Sequence, residues 1–181
     1  MAGMAAMGAI GGPLTDRAMV DWPALIALAV IFGLSLFIVT MASPRSPLDA
    51  SMPALWMILR VLAAAQLALW PVKVLVNASD MAGVALRQAI ALVPEVLRET
   101  RFGHDWRNTA PLALLLALLT WIPRPGRLRA GLLAIASAGI LLAWALASHA
   151  IDFGKVAVAA YFGHEAAAGL WVSFLAGLWI V

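Results

Sequence analysis

YFGHEAAAGLWVSFLAGLWIV, residues Tyr161 to Val181, is an apolar run interrupted by one imidazole and one carboxylate. Extended back to Lys155, it is long enough to cross a bilayer, which takes roughly 20 predominantly apolar residues. His164 and Glu165 lie inside that run. Ionisable groups in hydrocarbon are expensive, and those that persist face a bundle interior, a cavity or a bound ion. The stretch therefore predicts a membrane helix carrying a candidate metal or proton site.

The rest of the chain has the same character. Hydrophobic residues make up 64% and charged residues 12% of the 181, far more apolar surface than a soluble domain of this size needs. The protein is expected to be an all-α, polytopic transmembrane helical bundle whose solvent is the lipid bilayer. A net charge of +3 is too small to argue for nucleic acid. With no cysteine, any metal must be held by His, Met, carboxylate or backbone. No nucleotide loop, nucleophile triad or zinc-protease motif is present, so an enzyme is not expected.

About five spans can be read, at residues 22–42, 53–76, 109–122, 128–148 and 155–181, preceded by a tail over 1–21. The third is the shortest and is expected to borrow a turn from residues before Thr109. Met1 to Thr15 has no positive leading region, so it does not read as a cleaved signal. Residues 80–108 differ in texture. Val84, Ile90, Val93 and Leu97 recur at helical spacing among Arg87, Glu95, Arg98 and Glu99. This predicts an amphipathic segment at the interface, broken near Pro94. Arg124, Arg127 and Arg129 crowd one short loop, with Arg45 on the same side, and basic short loops favour the cytoplasm. The N-terminus is then periplasmic, in a bacterial inner membrane, although the opposite side holds more basic residues in total.

On the last helix His164 and Glu165 differ by about 100° and do not share a face. Glu165, Gly169, Ser173 and Gly177 do share one, and such a small-residue ridge invites another helix to approach closely. His164 reads either as a metal ligand with Glu165 beside it, or as half of a buried hydrogen-bonded pair. His149, beside Asp152, ends a span and by itself reads as a polar cap. His104, beside Asp105, reads as a solvated side chain in a charged segment. Met1, Met4 and Met7 repeat at every third residue, giving either a soft-ligand arm suited to Cu(I) or an ordinary Ala/Gly/Met-rich start. Arg60 and Lys73 are expected to snorkel to opposite interfaces, Gln66 to hydrogen-bond a neighbouring helix, and Trp56 and Trp70 to sit in aromatic belts.

Two stretches together resemble the copper resistance D (CopD) family of bacterial inner-membrane proteins. ETRFGHDW (Glu99–Trp106) is similar to the family's Thr-x-Phe-Gly-x-x-Trp element leading into a span. SHA (Ser148–Ala150) followed by GHEAAAGLW (Gly163–Trp171) looks like its Gly-His-Ala turn and its His-x-x-Ala-Ala-x-x-Trp span start. Thr100, Phe102, Gly103 and Trp106 match the loop signature, and His149 and His164 match the motif histidines. Val172-Ser173 stands where the family has Gly, and Thr109 where it has Arg. Members usually carry more spans than the five read here.

The resemblance implies copper handling or copper-ion transport at the cytoplasmic membrane, beside a periplasmic copper-binding protein or within a larger membrane complex. It implies a periplasm-facing metal site at His149 and His164, with Glu165 beside His164 and, more distantly, His104 as further candidate ligands. The alternative is a haem-anchoring or accessory subunit of a respiratory complex, with two histidines ligating haem b. A third reading is a structural partner docking through the glycine ridge.

Overall fold

The computed structural model describes residues 13–41, 50–122 and 126–180, and among them every regular element is helical. Five long helices form the bundle: α1 (Pro13–Met41), α2 (Met52–Ala82), α5 (Arg101–Trp121), α6 (Arg127–Ala147) and α7 (Lys155–Ile180). Two short helices, α3 (Leu86–Ala89) and α4 (Val93–Glu99), lie between α2 and α5. The methionine-rich start, Arg45 and Arg124 fall outside the described residues.

Helix α1 is the centre of the bundle. It packs against α2, α6 and α7, while α5 closes the far side against α2 and α6. Leu28, Ile31 and Ile38 of α1 are completely buried, as are Leu55 and Leu59 of α2 and Leu133 and Ile140 of α6. A helix that is apolar all round belongs in such a position, because every face meets protein or lipid.

The small-residue ridge on α7 meets α1. Gly169, Ser173 and Gly177 are buried, and Ser173 Oγ donates to the Val30 carbonyl at 3.2 Å. A Cβ at Gly33 would overlap the Gly169 carbonyl and stand 2.5 Å from Ser173 Oγ. One at Gly177 would lie 2.7 Å from the Phe37 ring. Lipid tails supply no hydrophobic drive between helices, so association rests on close backbone approach of this kind. Phe37 then packs edge-on against Phe174, with ring centroids 5.2 Å apart.

Three helices are long and apolar enough to cross a membrane by length and composition: Met19–Met41, Met52–Ala82 and Arg127–Ala147. Helices α5 and α7, with 21 and 26 residues, are long enough but fall outside that set. The cause is chemical. Arg101, His104, Asp105 and Arg107 occupy the first two turns of α5, and His164 and Glu165 interrupt α7. The third span's short apolar run is also extended upstream, because Arg101–Asn108 belong to α5 rather than to the interfacial segment.

What remains of that segment packs on the ends of α2 and α5. Gly83 (φ +63°) takes the left-handed conformation that ends α2, where Gly has no Cβ to clash. Ala78, Ala89 and Val96 then form a small core with Val84, Val93 and Phe102. A 3-10 turn at Ile90–Leu92 shifts the register, so Ile90 is turned out (61% exposed) and Val96 turned in. The break falls just before Val93 and Pro94, which occupy the first turn of α4.

Two tryptophans expected in aromatic belts are core residues instead: Trp56 is 2% and Trp70 7% exposed. Their rings fill the space between α2 and its neighbours.

Packing along the ridge makes a sharp prediction. Gly169→Val should destabilise the bundle by about 1–3 kcal/mol or more through overpacking against Ala29. Gly163→Ala, whose Cβ would meet open space, should stay within about 0.5 kcal/mol. Reversible unfolding in mixed micelles checks both, and equal effects would refute the ridge.

Candidate functional site

At the end of the bundle where α1, α5 and α7 begin and α2 and α6 finish, the helices separate around a cavity of about 860 Å³. Its walls are rich in aromatic side chains: Trp22, Trp70, Phe102, Trp106, Trp144, Phe153 and Tyr161. Asp21, Gln66, Lys73, Arg101, Asp105 and His149 line it as well.

Local sequence explains the wall on α5. Thr100 is the N-cap: its hydroxyl accepts from the Gly103 N–H at 3.0 Å and donates to the Val96 carbonyl at 2.6 Å. Gly103 is required there, since a Cβ would collide with the Val96 and Leu97 backbone. The sharp entry from α4 directs the next residues into the bundle. Trp106 Nε1 donates to the Trp70 carbonyl at 3.3 Å, and the two rings meet edge-on with centroids 6.1 Å apart. Thr100, Phe102, Gly103 and Trp106 are thus one device that places an aromatic wall.

Opposite stands a charged cross-brace. Lys73 Nζ lies 3.0 Å from Asp21 Oδ1 and 3.4 Å from the centre of the Trp144 ring. The ammonium therefore joins α1, α2 and α6. It turns inward instead of snorkelling to the interface, because a carboxylate and an indole face are both within reach. The two side chains are 16% and 26% exposed, so water screens the pair only in part. Arg101 donates to the Leu146 carbonyl at 3.3 Å on the far rim.

Gln66 and Trp70, one turn apart on α2, line the same cavity. Both are over nine-tenths buried, and neither Gln66 Oε1 nor Trp70 Nε1 has a hydrogen-bond partner among the described residues. The expected inter-helix bond from Gln66 is not made by that oxygen.

Of the four residues expected to ligate metal, one reaches the cavity. His149 opens a 3-10 turn (His149–Phe153) at its mouth, fully exposed, with Nδ1 3.6 Å from Asp152 Oδ2. The turn is started by Ser148, whose hydroxyl accepts from the Ala150 N–H at 3.2 Å. His104 is exposed outside the cavity, with Nδ1 2.9 Å from Arg107 Nη2. His164 is exposed on the outer face of α7, and Glu165 is half-buried one turn beyond Tyr161. Among the described residues no group of three or more His, Cys, Asp or Glu side chains lies close enough to hold a metal ion. His149 and His164 do not face each other either. His149 precedes α7, whereas His164 sits about 13 Å along it, so no axial pair for a haem is formed.

Asp21, Lys73, Gln66 and Tyr161 were not legible as site residues. Their only signal was polarity inside apolar runs, and each comes from a different helix or turn of helix.

Residues 18–158 match the family model of the copper resistance protein D-like, N-terminal domain. No curated relative and no solved structure matches the chain. The matched segment covers the cavity lining from Asp21 to Ala157 and ends within the first turn of α7, before Ala160, Tyr161 and His164.

Removing Lys73 leaves a partly buried carboxylate without its ammonium. Lys73→Met should cost about 1–3 kcal/mol, and adding Asp21→Asn should recover part of that loss. A double-mutant cycle of unfolding free energies reads the coupling; additive effects would mean that the brace contributes nothing.

Proposed function

The chain belongs to the copper resistance protein D-like family, and from that premise we propose that it carries copper across a bacterial cytoplasmic membrane through the cavity. The coincidence of the family segment with the cavity walls is the observation that carries this reading. In it, all five long helices cross the bilayer, α5 tolerating its ionisable groups because these line or border the polar end and α7 because Glu165 is half-buried. The cavity faces the periplasm, so the arginine-rich connection between α5 and α6 lies on the cytoplasmic side.

Copper is cargo here, and the protein acts as a carrier rather than an enzyme. The His149 imidazole, projecting from the mouth, takes the ion first, from solution or from a periplasmic copper-binding protein. Asp21 and Asp105 offer oxygen ligands below it. Asp21 is already engaged by Lys73, so an arriving cation must displace the ammonium toward the Trp144 face. Copper and the ammonium compete for one carboxylate, and that competition favours weak, releasable binding over a permanent centre. Glu165, one turn deeper than Tyr161, is the next acceptor along α7. His164 faces outward and joins the path only where another helix, in a larger membrane complex, covers that surface.

Copper uptake by proteoliposomes and metal content after dialysis test this directly. His149→Ala should reduce both by about tenfold, the loss typical of a disturbed metal ligand set. His164→Ala should have a smaller effect in the isolated chain. Unchanged uptake and unchanged stoichiometry in His149→Ala would sink the proposal. A Soret band in the purified protein would replace it with a haem-binding role.

A further inference from the structure

The opposite end of the bundle carries a second polar cluster that copper handling does not use. Here α1, α5 and α7 finish while α2 and α6 begin, so three sets of orphan carbonyls gather. Arginines satisfy several of them. Arg127 Nε donates to the Val39 carbonyl at 2.9 Å, and Arg60 Nε to the Thr120 carbonyl at 2.9 Å. Arg129 donates through Nη1 to the Ile122 carbonyl.

Arg129 is different from the other two. It is 7% exposed, its guanidinium stacks 3.8 Å from the centre of the Trp56 ring, and Nε and Nη2 have no hydrogen-bond partner among the described residues. Those two nitrogens form one edge of the guanidinium, the fork that binds a carboxylate or phosphate through two parallel hydrogen bonds. A buried cation with an empty fork is costly unless an anion completes it. Among the described residues no carboxylate forms a salt bridge with any of the three arginines.

A second observation points the same way. Helix α6 starts at Arg127 behind Gly126, which has no side chain to cap it. Its first turn carries Arg129, and helix N-termini, with free N–H groups and the positive end of the dipole, bind phosphate. Around the cluster, Met57, Val61, Leu118, Trp121 and Leu128 are all more than half exposed. These suit acyl chains, not water.

We infer that Arg129, Arg60, Arg127 and the start of α6 bind the phosphate of an anionic phospholipid. The fork and the helix terminus hold the phosphate, Arg60 and Arg127 supply neutralising charge from either side, and the exposed apolar residues seat the chains. Nothing in this assignment depends on the copper reading.

Native mass spectrometry of the detergent-solubilised full chain, with added phosphatidylglycerol or phosphatidylcholine, provides the test. The wild type should retain phosphatidylglycerol preferentially. Arg129→Lys keeps the charge but loses the fork, and should reduce that preference about tenfold, equivalent to one charge-assisted hydrogen bond. The double variant Arg60→Gln/Arg127→Gln alters partly buried and exposed positions only, and should weaken retention without loss of helix content. It decides the matter if Arg129→Lys fails to fold. Equal retention of the two lipids by the wild type, or an unaltered preference in the variants, overturns the inference. Inorganic phosphate that displaces the lipid at equal concentration would also overturn it, by showing a site for the free anion.

Discussion

The approach of α1 to α7, backbone against backbone, is the contact on which the rest of the molecule depends. In lipid, two apolar helices gain nothing from leaving water, so their contact must come from close packing and hydrogen bonds. Gly33, Gly169 and Gly177 remove the side chains that would hold the helices apart, and Ser173 adds a bond to the Val30 carbonyl. With α7 drawn in on one face, α1 is enclosed by α2 and α6 on the others. A single central helix thereby sets the positions of three neighbours.

The two ends of the bundle then diverge for a chemical reason. Towards the start of α1 the residues between helices are large and amphipathic: Trp70, Trp106, Trp144 and Tyr161. Indole and phenol rings leave space when they stack edge-on, and their polar atoms bring in charged partners such as Lys73. A cavity results. Towards the other end, aliphatic and arginine side chains reach between helix termini and bind their carbonyls. One end is open and of mixed charge; the other is closed and cationic.

The glycine ridge was fully legible, because a spacing of four residues defines one helical face without any knowledge of the partner. The Thr100–Trp106 element was also legible as a signature, though not its purpose: a cap, a close approach and a tryptophan that must find Trp70 thirty-six residues earlier. Lys73 misled. It looked like a lone polar residue on an apolar helix, and whether such a residue reaches for the interface or turns inward depends on what the next helix offers. His164 shows the converse. Its position inside a span marked it as an interior group, yet the ridge that packs on α1 contains Glu165's face and leaves the imidazole outside.

Composition and period by themselves determined that this chain is a helical membrane protein, where the apolar parts of its long helices fall and which face of α7 is packed. These follow from transfer free energies and from the 3.6-residue repeat, both local properties. Tertiary structure alone decided which polar residues meet: Asp21 with Lys73 and Trp144 at one end, Arg60 with the Thr120 carbonyl and Arg129 with the Ile122 carbonyl at the other. Such meetings depend on the rotation and depth of helices far apart in the chain. In a sequence whose apolar positions nearly all look alike, the pattern that would encode those rotations is too weak to read.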